Sequence, residues 1–226
     1  MRLGGLRHAN GWWTLPEQRA LLAVGFLRQL IVVLPDADVV AVVTGRRSGP
    51  LAPLVERIAA AARSETALPP DPAAAARLAE RIAAAGVEQR SPVPAASSLA
   101  ATVSGRTYRI EPNASGIASI RLDLGSAHPR YESTFVPARP GGPVRRIDGP
   151  LGLDGLFRVR EPQGGDERVF AVKGAWRSEN VFEVVTRSLT EGIVTVLALT
   201  FDGNRVDIAI DDNRGIRLKA RGEAIE

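Results

Sequence analysis

The chain has no cysteine. Disulfide scaffolds, thiolate metal sites and cysteine nucleophiles are therefore excluded. Histidine is limited to His8 and His128. That is too few for a histidine-built metal centre, and no metal or cofactor is expected. Neither histidine has a carboxylate or serine at a spacing that would make a catalytic pair, so both read as surface residues. Aromatic residues make up 5% of the 226, which leaves little for stacking on nucleic acid bases. Lysine is almost missing: Lys and Arg total 29, yet only Lys173 and Lys219 are lysines. No apolar run reaches the roughly 18 residues of a membrane span. Read from Met1, the first residues also lack the apolar core of a secretion leader, which implies a cytoplasmic chain.

What is present is a globular composition. The chain is 45% hydrophobic and 24% charged, with a net charge of +4. Its length suits one large or two small domains. The arginines are interleaved with Asp and Glu, and only Arg46-Arg47 and Arg145-Arg146 stand as doublets. This is not the basic stripe of a nucleic-acid surface, so no nucleic-acid partner is expected.

Three zones follow one another. In residues 1–45, Gly11-Trp12-Trp13-Thr14-Leu15 reads as a short strand. Leu30 to Leu34 and Val39 to Val43 are apolar runs around a Pro35-Asp36-Ala37-Asp38 turn, a hairpin pattern. Both runs are apolar on both faces, so both faces should be covered. Residues 46–98 form a helical connector and linker. Leu51, Leu54, Val55, Ile58 and Ala62 give one helical stripe, and Ala75, Leu78, Ala79 and Ile82 a second, each expected to pack on the sheet. Asp71-Pro72 reads as an N-cap with proline at the first helical position. Residues 88–98 read as a linker. Residues 99–226 carry nine candidate strands: 106–110, 117–124, 131–136, 155–160, 169–177, 181–187, 193–201, 206–210 and 216–221. Asp202-Gly203-Asn204 and Asp212-Asn213-Arg214-Gly215 read as hairpin turns. The fold class is therefore α+β: a remnant antiparallel hairpin or sheet with two helices, followed by an antiparallel, lipocalin-like β-barrel.

The order Gly-Trp-Trp, then Gln29-Leu30-Ile31-Val32-Val33-Leu34-Pro35, then Val39 to Gly45 resembles the last strands of serine hydrolases related to class C β-lactamases and penicillin-binding proteins. Leu68-Pro69-Pro70-Asp71-Pro72 resembles the segment after that catalytic domain. Gly105 to Asn113, Leu151-Gly152-Leu153-Asp154-Gly155 and Gly174-Ala175-Trp176 resemble the carboxy-terminal appendage of the same hydrolases. The resemblance implies a Ser-x-x-Lys nucleophile motif, a tyrosine base and a glycine-rich pocket strand. No serine here has lysine three residues later, and Tyr108 and Tyr131 both follow the Trp-Trp strand instead of preceding it. No catalytic residue is assigned. The pocket strand would fall at residues 23–29, where Gly25 and Gln29 fit and Arg28 is a candidate for a substrate carboxylate.

Other features have plainer readings. Ser178-Glu179-Asn180 mimics a Ser-x-Asn motif but reads as a turn. Asp202, Asp211 and Asp212 lack the spacing of a calcium loop. Trp12, Trp13 and Trp176 read as core anchors. Three functional expectations remain open. The chain is a non-catalytic carboxy-terminal part of such a hydrolase, its β domain packing on or covering the catalytic domain. Alternatively, the β domain is a small-molecule-binding barrel. Alternatively, the 1–45 strands self-associate or complement a separate catalytic chain. Such hydrolases are often exported, so location stays open.

Overall fold

A computed structural model of the protein describes residues 6–26, 29–44, 50–137, 139–162 and 168–225. The chain divides into two compact units, residues 1–83 and 84–226. Among the described residues no helix is long and apolar enough to cross a membrane.

The first unit is a five-stranded antiparallel meander: β1 (Arg7–Ala9), β2 (Trp12–Leu15), β3 (Ala20–Val24), β4 (Leu30–Leu34) and β5 (Val39–Val43). Alternate residues face one side, where Leu15, Leu22, Leu30, Val32 and Leu34 meet Leu51 and Val55 of the α1 region. Helix α1 spans Ala52–Ala61. The hairpin of β4 and β5 is as the sequence reads, its turn a short 3-10 segment closed by Asp38 at φ 48°. Two strands were not legible. β1 is short, and β3, Ala-Leu-Leu-Ala-Val, is built mostly from residues that strands do not favour. Trp13 packs on this core, whereas Trp12 is 38% exposed.

The expectation that both sheet faces are covered does not hold. Period-2 geometry sends Leu21, Ile31, Val40 and Val42 to the face opposite α1, and all four are exposed. Helix α2 (Pro72–Ala85) begins as read, Asp71 accepting from the Ala74 N–H at 2.8 Å. None of its residues is buried, so its Leu78 and Ile82 stripe does not pack on a sheet. A face made otherwise of alanine offers little apolar area to hold it there.

The second unit is a ten-stranded antiparallel barrel. Its strands are β6 (Thr107–Ile110), β7 (Ile117–Asp123), β8 (Arg130–Phe135), β9 (Arg145–Pro150), β10 (Arg158–Arg160), β11 (Phe170–Trp176), β12 (Val181–Ser188), β13 (Ile193–Asp202), β14 (Arg205–Asp212) and β15 (Arg217–Ile225). The order is β10-β11-β12-β13-β14-β15-β6-β7-β8-β9. All nine strands read from the sequence are present. β9 was missed because Arg-Arg-Ile-Asp-Gly-Pro offers one large apolar residue and three strand-poor ones.

The two ends of that order come together. Just past β9, Gly152 bridges to Lys173 of β11, with the Gly174 N–H donating to the Gly152 carbonyl at 2.9 Å. β10 pairs with Phe170 to Val172 and lies beside β9, where Gly149 faces the stem of Arg160. Closure removes most of the unpaired edge.

One end of the barrel is filled. Tyr108, Trp176, Phe182 and Phe201 stack there, with ring centroids 5.2 to 6.0 Å apart. Gly174 leaves room for Phe182, whose ring would lie 2.6 Å from a Cβ at that position. Val103 of α3 (Ala100–Val103) joins the same core. Trp176 is the buried anchor the sequence suggests.

Residues 88–98 are not a free linker. The Ser91 N–H donates to the Gly155 carbonyl at 3.1 Å, and Glu88 accepts from the Phe157 N–H at 3.0 Å. Ser97 Oγ donates to the Glu179 carbonyl, and Ser98 bonds the Glu179 carboxylate. The segment is a strap on the barrel wall. Gly155 has φ 84°, and a Cβ there would sit 2.1 Å from the Ser91 carbonyl oxygen. Gly155→Ala is expected to lower stability by about 1–3 kcal/mol through backbone strain, read as a shift of the urea midpoint at constant slope. A change under about 0.5 kcal/mol, the range of ordinary surface substitutions, contradicts a fastened strap.

Candidate ligand cavity in the barrel

The inward series on three adjacent strands change character along their length. β12 places Phe182, Val184, Thr186 and Ser188 inward, β13 has Phe201, Leu199, Leu197 and Thr195, and β14 has Val206, Ile208, Ile210 and Asp212. Each runs from large apolar residues at the filled end to polar residues at the other. The register sets Thr186 opposite Thr195, and Thr195 opposite Asp212, so the polar positions form one row. At this end the side chains do not fill the interior. A cavity of about 360 Å³ remains, walled by Ile117, Ile147, Leu197 and Ile210 among others, and by that polar row. This volume lies within the range of small-molecule sites, about 300–1,000 Å³.

The polar groups differ in how they are held. Asp212 accepts from the Arg214 N–H at 2.8 Å, from the Ile216 N–H at 3.2 Å and from Arg214 Nε at 2.7 Å. Ser188 Oγ bonds Glu191 at 3.1 Å and accepts from the Glu191 N–H. The Thr186 and Thr195 hydroxyls make no hydrogen bond among the described residues. Ser133 Oγ, on the facing wall in β8, is fully buried without a hydrogen-bond partner among the described residues. Burial pushes the neighbouring Tyr131 phenol up to about 12, while the Ser133 hydroxyl and the Arg145 guanidinium act the other way. Ser133 thus lies close enough to Tyr131 to influence it, but outside hydrogen-bond geometry. The phenol stays neutral at physiological pH.

Arginines lie near aromatic rings of the barrel. The Arg145 guanidinium lies 3.8 Å from the Phe135 ring centre. Those of Arg160 and Arg168 lie 6.0 and 5.7 Å from the one Phe170 ring. Among the described residues, the guanidinium groups of Arg145, Arg168 and Arg214 and the carboxylates of Glu191 and Asp212 line the cavity. Elsewhere arginines face carboxylates across strands, as Arg221 does Asp207 and Arg217 does Asp211. Such exposed pairs contribute little stability.

The residues singled out in the sequence lie elsewhere. Gly25 and Gln29 bond each other across the β3–β4 turn, the Gly25 N–H donating to the Gln29 carbonyl at 2.8 Å. Arg28 lies outside the described residues. Ser178 to Asn180 form the β11–β12 turn as expected, and Glu179 there holds the strap. Asp211 and Asp212 each face an arginine.

Lys173 does meet a serine through the fold: its Nζ donates to Ser91 Oγ at 2.8 Å. It also donates to the Gly155 carbonyl at 3.2 Å and to Glu88 at 3.5 Å. With its three hydrogens engaged, the ammonium fastens the strap and offers no lone pair to a nucleophile. The cavity's hydroxyls and arginines were missed in the sequence. The signal that could have found them is the apolar-to-polar gradient along β12, β13 and β14.

No family model matches the chain, and no curated protein does. Among solved structures, a Schistosoma mansoni fatty acid binding protein in complex with arachidonic acid is similar at 7% identity and TM-score 0.39, over 55% of this chain and 97% of that one. Secretory abundant heat soluble protein 4 from Ramazzottius varieornatus is 14% identical at TM-score 0.34, over 48% of this chain and 69% of that one. A redesigned beta barrel, mFAP1, bound to DFHBI, is 11% identical at TM-score 0.33, over 56% and 99%. At these values none bears on what this chain binds, and the barrel stands on its own strand pairing.

Asp212 gives the mouth a pH dependence. Burial alone raises its carboxyl, but the Arg214 side chain and the N–H groups of Arg214 and Ile216 outweigh this and hold it below the usual carboxylate range. The charged form therefore stabilises the fold above the unfolded value of about 3.9. That contribution is lost as pH falls through the lower folded value. Asp212→Asn is expected to cost about 1.5–3 kcal/mol at neutral pH, and to flatten the decline of stability below about pH 4. Urea unfolding at several pH values measures both. Parallel curves for the two proteins contradict the assignment.

Proposed function

We propose that residues 84–226 form a binding module that holds a small molecule inside the open end of the barrel. The observation that carries this reading is the uneven filling of one interior. Aromatic rings occupy one end, and the other keeps a cavity of about 360 Å³ with apolar walls and a few polar groups. That combination is what small-molecule sites present. An engineered apolar cavity of roughly 150 Å³ takes benzene, so this one suits a molecule about twice that size. The hydrolase resemblance adds no group to the cavity, since no serine or lysine in it forms a nucleophile–base pair.

A thermal-shift screen of the full chain against small carboxylic acids, aromatic acids and fatty acids tests the proposal. A ligand that binds only the folded protein adds about 2.7 kcal/mol at a hundred times its Kd, so its midpoint must rise. Thr195→Phe, which places a ring in the cavity, is expected to abolish the rise while keeping a cooperative transition, and Leu218→Phe provides a second blocked variant. No rise across the panel, or a rise that persists in both variants, contradicts binding in the barrel.

A further inference from the structure

The polar lining of the cavity divides into groups that the protein satisfies by itself and groups that it does not. The charged groups belong to the first kind. Both carboxylate oxygens of Asp212 accept hydrogen bonds, from the Arg214 and Ile216 N–H groups and from the Arg214 guanidinium. Glu191 accepts from Ser188 Oγ at 3.1 Å. Arg145 and Arg168 each have a partner as well. The threonines belong to the second kind. Thr186 is 8% exposed and lines the cavity, yet its hydroxyl makes no hydrogen bond among the described residues. The same holds for Thr195, directly opposite it on β13. Cross-strand neighbours have Cβ atoms about 4.5–5.5 Å apart, a gap that one acceptor between the two hydroxyls can span. A carbonyl oxygen, with two lone pairs, takes a proton from each. An unbroken hydrocarbon would displace water from both hydroxyls and leave them unmatched. A carboxylate placed there would meet a like charge, because Asp212 follows Thr195 in the row.

We propose that the ligand is an uncharged molecule with a hydrocarbon body and a carbonyl group, such as a ketone or ester, whose oxygen accepts from the Thr186 and Thr195 hydroxyls. This inference rests on the reading of the barrel as a binding module. It adds that acids are not the preferred class. A small acid still enters, with its charge turned to solvent at the open end, but binds more weakly. The aliphatic walls at Ile147, Leu197, Ile210 and Leu218 take the body of the molecule.

Three probes of one shape separate the contributions: 4-phenylbutan-2-one, 3-phenylpropionate, in which a charged oxygen replaces the methyl group, and 2-methyl-4-phenylbut-1-ene, in which a CH₂ group replaces the carbonyl oxygen. Calorimetric Kd values are measured on the full chain and on Thr186→Val and Thr195→Val. The ketone is expected to bind roughly tenfold tighter than the acid, whose charge costs more to desolvate. Each valine variant is expected to weaken the ketone by about 3- to 10-fold, one net hydrogen bond's worth, and to leave the alkene as tight or tighter. The hydroxyls have no partner to lose in the free protein, so both variants are expected to keep the urea midpoint. An acid bound as tightly as the ketone, or a ketone affinity unchanged in both variants, overturns the inference and leaves the binding module standing. So does a variant series that weakens ketone and alkene alike, or a urea midpoint lowered in both variants, since either gives the hydroxyls a structural role. Failure of the ketone while another molecule binds in the cavity has the same consequence. If nothing enters the cavity, both fail together.

Discussion

A barrel of ten strands encloses more space than the sequence has large side chains to fill. Barrels of about eight strands are already only just filled by their side chains. This chain has three Trp, two Tyr and six Phe in all, and four of those eleven rings sit together at one end. Their stacking, with Gly174 yielding space to Phe182 and Val103 of α3 joining the same core, sets a solid floor. Everything distinctive about the other end follows from what is left. The inward positions there are aliphatic or hydroxyl-bearing, and they line a space without filling it.

Closure of the barrel depends on the same economy. β10 is three residues long, and the Gly152 bridge carries the join beside it. Such a short seam is supported from outside by the strap, through Glu88 and Ser91 on Lys173 and Gly155. Lysine is scarce in this chain, and one of its two lysines fastens this strap. The net positive charge behaves differently. Outside the mouth, arginines of neighbouring strands face carboxylates in exposed pairs, so the charge total says little about partners. Around the cavity Arg145 and Arg168 lie against aromatic rings, and Arg214 pairs with Asp212.

Strand alternation was legible from the sequence over most of the barrel. The series at Val206, Ile208 and Ile210 and the turns at Gly203 and Gly215 appear where pattern and turn chemistry put them. β9 was hidden because its partner strand, not its own composition, makes it a strand. β3 was hidden because its Leu and Ala residues favour strand pairing only in the context of β2 and β4. The strap looked like a linker because its prolines and serines signal flexibility, while its partners lie over 60 residues away in sequence. The cavity was hidden for a related reason. Thr186 and Thr195 are ordinary strand residues one at a time, and only the cross-strand register makes them a pair. The residues taken from the hydrolase resemblance, Gly25 and Gln29, close a hairpin turn in the other unit.

The central claim is that one end of the barrel is solid and the other receives a molecule. Methyl-resolved NMR during titration with a hit from the thermal screen tests it most directly. The account predicts shift changes at the methyl groups of Thr195, Leu197, Ile193 and Ile210, with those of Leu122, Val206 and Ile208 around the aromatic floor unmoved. Changes centred on the floor or on the outer surface, with the open end silent, would contradict it.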